Sequence, residues 1–407
     1  MPAALRLGVL CILCVLGIGG REATAQPAQE PAAPQAVGAK ELQAAIDKLG
    51  DLDYDTRTNA SRTVRRTESM QAVPALLQAV AEHRDGYVRY RALVLLTGFN
   101  DPRTNDAIRE SLKSPNDRLR TVAYSYLEHH PNRGMLPELL AALNTELAEF
   151  VRPALIRALA AAGDDPRVQS VLVRETTRGE DFFRSAVIEA LGDYKARYAF
   201  DVLAKVAALE GPLQDDAALA LGKIGDKRAL EILAGLQRSA PRASQPTIAA
   251  SICLLGVNCE SHENYLIQTL RFADTNPGFQ ELLRGTASGL GALGVAGHDD
   301  VITPLLQVGI PSRDPVRAPI ALALATIALR NTQVMLTFLE KSRAPASDRP
   351  VYEDRGVLTL LAEGFDMLEE DLDKERFFAL VRRTYWQSAE KSAARAVMQR
   401  LIGELAF

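Results

Sequence analysis

Apolar residues recur three and four positions apart in short blocks along most of this chain. Ala92 and Leu96 follow Arg89 on one helical face, Ala123 and Leu127 follow Arg120, and Val187 and Leu191 follow Arg184. A second kind of block carries its own stripe: Val73, Leu76 and Leu77, or Ile302, Leu305 and Leu306. Polar turns separate the two kinds, as in "NDPR" and "DDPR". There Asp101 and Asp165 are expected to cap the next helix by accepting from its free N–H groups. Pro102 and Pro166 follow at the first helical position, where a missing N–H costs nothing. Gly98, Gly163, Gly192 and Gly222 stand near the ends of first helices, and a left-handed glycine stop is predicted at each. No segment alternates with the period of a strand, so an all-α fold is predicted.

The blocks repeat. An anchor just inside each first helix can be placed at Arg57, Arg89, Arg120, Arg152, Arg184, Gln214, Ile248, Arg284, Arg317 and Arg355, with spacings of 30 to 38 residues. A single helix pair of this length cannot bury its apolar face, whereas stacked pairs bury a continuous core. Ten pairs are therefore expected to form an α-solenoid. With neighbours about 10 Å apart, it would be a curved rod on the order of 100 Å long.

Before the repeats the pattern changes. "LGVLCILCVLGIGG" is a 14-residue apolar run behind Arg6, and "ATA" ends at Ala25. This is the form of a secretory signal, with cleavage expected between Ala25 and Gln26. A spanning helix needs about 20 apolar residues, so an uncleaved anchor is the weaker reading. Cys11 and Cys14 follow Leu10 and Leu13, not the small residue of a lipoprotein cleavage site. Residues 26–39 form a Pro/Ala/Gln-rich linker, and residues 40–407 the solenoid with C-terminal capping helices. The mature protein is expected to be secreted or periplasmic.

Composition narrows the choices. The 407 residues are 47% hydrophobic but only 6% aromatic, which suits many small, closely packed helices. The net charge is −4. Loss of residues 1–25, which carry Arg6, Arg21 and Glu22, takes it to −5. No basic field is available for nucleic acid.

The strings "AVPALLQAV" (72–80), "MLPELLAAL" (135–143) and "VITPLLQVG" (301–309) resemble second helices of HEAT repeats. "VRYRALVLLTG" (88–98) and "DDAALALGKIGDKRALEIL" (215–233) resemble the short HEAT-like variety also found in phycobilin lyases. The resemblance covers roughly residues 40–405 and extends to exported bacterial HEAT-repeat proteins. The signature phrases of tetratricopeptide and ankyrin repeats are missing. The resemblance implies a solenoid that binds a macromolecule along a concave face lined by second helices. It carries over no residue of a bilin site.

Cys253 and Cys259 are the only cysteines after residue 25. Cys253 lies late in a first helix, Gly256 should end it, and Cys259 follows in the turn. In an oxidising compartment this pair is expected to form a disulfide. Free thiols, thiol redox chemistry and a metal site remain as other readings. His262 stands at Cys-x-x-His spacing, but a closed zinc site needs four ligands. "GHDD" (297–300) is the nearest further histidine-containing phrase. No metal or cofactor is expected. His83, His129 and His130 fall at predicted helix ends, where a cation meets the C-terminal dipole. Nucleophile elbows, His-Glu-x-x-His and phosphate-cradling loops are missing. The glycines of "GTASGLGALG" (285–294) lie on a helical stripe and are expected to serve close helix packing.

Two charge clusters remain. Arg57, Arg62, Arg65 and Arg66 stand in the first unit, and Glu369, Glu370, Asp371 and Asp373 near the other end. They read either as solvated caps on the solenoid's ends or as partner-docking patches. Trp386 is expected to pack the C-terminal cap. The functional expectation is a non-enzymatic exported scaffold for a protein or peptide. The alternative is a cell-envelope enzyme, or an assembly factor for one, with a pocket on the concave face.

Overall fold

The computed structural model describes residues 36–341, 354–368 and 370–405. The signal segment, the Ala25–Gln26 junction, Cys11, Cys14 and Glu369 lie outside the described residues. Among the described residues the chain forms α-helices and short 3-10 turns. A leading helix, α1 (Ala39–Asp47), is followed by pairs: α2 (Tyr54–Arg66) with α3 (Ser69–Glu82), α4 (Gly86–Thr97) with α5 (Thr104–Ser111), and α6 (Asp117–His129) with α7 (Leu136–Thr145). The middle pairs are α8 (Arg152–Ala161) with α9 (Pro166–Glu175), α10 (Asp181–Asp193) with α11 (Phe200–Ala207), and α12 (Gln214–Ile224) with α13 (Ala229–Ser239). Then come α14 (Gln245–Leu254) with α15 (Cys259–Thr275), α16 (Gln280–Ala296) with α17 (Ile302–Gly309), and α18 (Arg317–Arg330) with α19 (Thr332–Lys341). The last are α20 (Asp354–Met367), α21 (Asp371–Gln387) and α22 (Ala393–Glu404).

All ten anchors fall in first helices, α2 to α20. Each first helix packs on the next, giving one continuous layer, while the second helices flank it. The small and large residues of the stripe explain the layer. Ala92, Leu96, Ala123, Leu127, Val187 and Leu191 are all buried. Helices such as α14 and α18 are apolar nearly all round because they are covered on both sides.

The anchor side chain has a job that the repeat alone does not reveal. Arg89 Nε donates to the carbonyl of Val80 at 2.7 Å, and Arg184 Nε to that of Thr176 at 3.1 Å. Gln214 Nε2 donates to Ala207 O at 3.0 Å, and Arg317 Nη1 to Gly309 O at 2.9 Å. These four anchors therefore reach back to orphan carbonyls at the end of the preceding second helix, where an arginine's charge also meets the dipole.

The glycines differ from expectation. Gly98, Gly163, Gly192 and Gly222 are not left-handed; Gly225 (φ 75°) and Gly256 (φ 74°) are. Gly192 and Gly222 lie inside helices, where a Cβ would meet the backbone of Ala220 and Ser251 at 2.8 and 2.6 Å. They allow first helices to approach each other. The glycines of α16 do the same against Ala250 and Ala323, as expected. Asp165 caps α9 by accepting from Arg167 N at 2.8 Å. Asp101 accepts from Arg103 N, one turn before α5 begins at Thr104.

The curved solenoid closes on itself. The first-helix layer curves until α21 packs against α4 and α6, at the start of the solenoid. Leu372 of α21 joins the apolar core that runs through the first seven units. The first helices therefore line the inside, correcting the expectation that second helices do. At the N-terminal edge, Val37 is buried and its N–H donates to Gln71 Oε1 at 3.0 Å, so part of the predicted linker belongs to the body. At the other edge Tyr385 fills the core position, and Trp386 beside it is exposed.

Candidate functional site

Three features of this ring carry chemistry. The first is its closure. Arg65 of α2 grips Glu375 of α21 with Nε and Nη2, at 2.9 and 2.6 Å from Oε2. Asp371 meets the Tyr90 hydroxyl and lies 3.3 Å from Arg91 Nη1. Asp373 lies 2.8 Å from His129 Nε2 and 3.4 Å from Arg330 Nη1. Glu370 accepts from Arg330 Nη2 at 2.6 Å. Acids of the second cluster thus reach the early units, Asp371 at Arg91 and Asp373 at His129, while Arg65 of the first cluster takes Glu375. Arg57 is spent on the carbonyls of Asp51 and Leu52, and Arg62 on Asn59. Arg65, Glu370, Asp371 and Asp373 are thus engaged within the chain.

The inner wall is perturbed electrostatically. Burial alone would raise the Asp373 carboxyl, but the His129 hydrogen bond and the Arg330 charge hold it well below the ordinary range. Burial pushes Glu370 the other way, upward, despite Arg330. Burial, and then the charges of Arg65 and Arg66, outweigh Glu375 and bring the Arg382 guanidinium down to about 10. Across the ring, Arg157 binds buried Glu128 at 2.8 Å and Asp193 at 2.9 Å, and Lys223 binds Asp193 at 2.6 Å. Glu189 and Asp216, on the same wall, are pushed up by the surrounding protein. The charges that act on Glu189 are those of Asp216, Lys223, Asp193 and Arg157.

The second feature is a row of exposed apolar side chains on one rim. The entry to most first helices, in the loop or the first turn, carries one or two: Leu52 and Tyr54, Tyr87, Leu147 and Phe150, Phe182, and Leu209. Leu147 and Phe150 are 90% and 80% exposed. The row is interrupted only before α6, among the first six units. Sequence reasoning missed it because loop positions do not show in a helical stripe. A groove of 410 Å³ opens between α3 and α5 on the outer face, lined by Leu77, Val80, Arg103, Ala107 and Glu110.

The third feature is the cysteine turn. Cys253 closes α14, Gly256 is left-handed as expected, and Cys259 opens α15. The sulfurs stand at disulfide distance, with Cα atoms 4.1 Å apart. Glu263 and His298 join them, and one ligand atom from each of the four lies within 4.8 Å of the others. His262, the candidate suggested by spacing, is not in the cluster. Glu263 lies four residues after Cys259 on α15, a spacing that puts both on one face. His298 comes from the next unit, which one sequence cannot pair with α15.

Comparisons with known proteins follow the architecture. Residues 42–128, 73–160 and 105–192 match the model for HEAT repeats, and residues 213–238 that for the PBS lyase HEAT-like repeat. A search of curated proteins finds no similar sequence. Among solved structures, the complex of CpcE and CpcF of phycocyanin lyase from Nostoc sp. PCC7120 is 21% identical with a TM-score of 0.35, covering 56% of this chain and 90% of that one. Kap121p bound to RanGTP is 14% identical with a TM-score of 0.39, covering 89% of this chain and 45% of that one.

Proposed function

The chain is a HEAT-repeat protein, and we propose that it is an exported, non-enzymatic scaffold that binds a protein partner through the rim of its ring. One observation carries this reading. Large apolar side chains stand exposed at the same place in five of the first six units, at Tyr54, Tyr87, Phe150, Phe182 and Leu209. Water penalises each of them, by about 1.5–3 kcal/mol for a side chain that could be buried. Exposed apolar side chains that recur unit after unit are the signature of a protein contact. The inner face, expected to be the groove, is taken up by α21 and its ion pairs. Export rests on the apolar run before Ala25 and the small residues at the junction.

Among the described residues no single helix is long and apolar enough to cross a membrane. The enzyme alternative draws on the raised carboxyls of Glu189 and Asp216, since perturbed acids gather at active sites. Asp216 already accepts from the Ser185 hydroxyl at 2.7 Å.

The test is photo-crosslinking in the native cell, with the reactive residue placed at Phe150, at Phe182, or at the outer-face position Lys113. One shared protein captured from the two rim sites but not from 113 supports the proposal. Capture only at 113, or no enrichment at any site, removes it. N-terminal sequencing of the recovered protein checks export: a mature start at Gln26 supports it, and an intact Met1 speaks against it.

A further inference from the structure

Two of the four clustered side chains are thiols, one is an imidazole and one a carboxylate. All four are ligand types that zinc accepts, and four is the number that a closed structural site needs. A tetrahedral ion with bonds of about 2.0–2.3 Å sets its ligand atoms roughly 3.3–3.8 Å apart. His298 Nδ1 is 3.9 Å from Cys259 Sγ and 2.6 Å from Glu263 Oε1. All four donor atoms lie within 4.8 Å of one another, and the two sulfurs, at disulfide distance, must part on reduction to reach the tetrahedral spacing.

We propose that Cys253, Cys259, Glu263 and His298, with the cysteines reduced, form a zinc site that ties the seventh helix pair to the eighth. The backbone already presents the donors. After α14, Gly256 N–H bonds to Cys253 O at 2.7 Å and Val257 N–H to Ile252 O at 3.4 Å. After α16, Gly297 N–H bonds to Gly294 O and His298 N–H to Leu293 O, both at 3.1 Å. These are paired helix-end turns with a left-handed glycine, and they hold Cys259 and His298 at fixed directions. A simple ion pair between Glu263 and His298 needs no sulfur nearby. Here the Cys259 sulfur stands 3.9 Å from the ring nitrogen of a residue in a different unit, with the Cys253 sulfur in the same cluster.

Soft sulfur excludes calcium and magnesium as the preferred ions, and thiolate with imidazole suits zinc. Binding is a proton exchange with no electron transfer. Each thiol loses its proton to solvent, two Zn–S bonds form, and neutral imidazole and carboxylate complete the shell. A disulfide between Cys253 and Cys259 has no thiolate to donate. Oxidation and metal binding are therefore mutually exclusive states of the same turn.

The experiment uses the full chain carrying Cys11→Ser and Cys14→Ser, reduced until both remaining thiols titrate, then given cobalt(II) as a spectroscopic stand-in for zinc. One equivalent should bind, with a thiolate-to-cobalt charge-transfer band and the strong visible bands of a tetrahedral ion. Zinc should displace it. His298→Ala and Glu263→Gln, both at partly exposed positions, should each weaken binding by about 10–100-fold while leaving the circular dichroism spectrum intact. The protein oxidised to the disulfide should show no charge-transfer band. Absence of the band in reduced protein with two free thiols overturns the proposal. So does cobalt binding that neither His298→Ala nor Glu263→Gln alters.

Discussion

Arg65 and Glu375 lie 310 positions apart in the chain and form a forked ion pair that is almost wholly buried, at 6% and 4% side-chain exposure. The pair locks the last long helix onto the first repeat. Removing one partner leaves the other charged and unpaired in a dry site, a loss of about 3–5 kcal/mol.

Arg65→Ala or Glu375→Gln should therefore lower stability by that amount and loosen the ring. Urea unfolding reads the first effect, and a larger radius of gyration in X-ray scattering reads the second. Arg65→Met with Glu375→Met should recover most of the loss, because apolar side chains of similar volume leave no buried charge. Equal loss in the double variant would mean that the pair is more than a desolvated lock.

Acid should open the same closure. The Asp373 carboxyl is held well below its unfolded value by His129 and Arg330, against burial. A carboxyl depressed on folding adds stability above its unfolded value, about 3.9, and loses it as pH falls from there toward the folded value. Glu370 acts in the opposite sense, since burial raises it and protonation relieves that cost. Thermal midpoints between about pH 2 and pH 7 should fall below about pH 4. Asp373→Asn should flatten that fall, and Glu370→Gln should not.

The anchor arginines predict a repeated small effect. Arg89→Ala removes a charged donor from Val80 O and a cation from the end of α3, a loss of about 1–2 kcal/mol. Denaturant midpoints should show it, with a similar loss for Arg184→Ala.

Two glycines should respond with opposite sign. Gly222→Ala puts a methyl group 2.6 Å from the Ser251 Cα, where backbone must move, and should cost about 1–3 kcal/mol. Gly235→Ala, in α13 with only the tip of Arg238 at 4.0 Å, should stabilise by about 0.5–1 kcal/mol.

The cysteine turn makes a prediction for protein recovered from an oxidising compartment. With a chelator present and no reductant, Cys253 and Cys259 should resist alkylation, and the intact mass should be lower by two hydrogens. Reduction should expose both thiols and lower stability by about 2 kcal/mol, the chain-entropy value for so short a loop. Free alkylation without reductant would exclude the disulfide.

Local chemistry wrote the repeat into the chain. The small-and-large stripe after each anchor, Asp165 before Pro166, and Gly256 between the cysteines all act within a few residues. Their outcome therefore follows from helix periodicity and capping, and the ten first helices stand where those patterns put them. Non-local geometry decided the rest. The curvature of a solenoid is the sum of small rotations at each interface, so a modest change per unit separates a rod from a ring. No stretch of sequence carries that sum. Only the folded chain brings Glu375 to Arg65, turns Gly192 and Gly222 from helix stops into close contacts, and sets His298 beside Cys259 and Glu263. The charge clusters were legible as charges, and the tertiary structure determined that Arg65, Glu370, Asp371 and Asp373 would find partners in the same molecule.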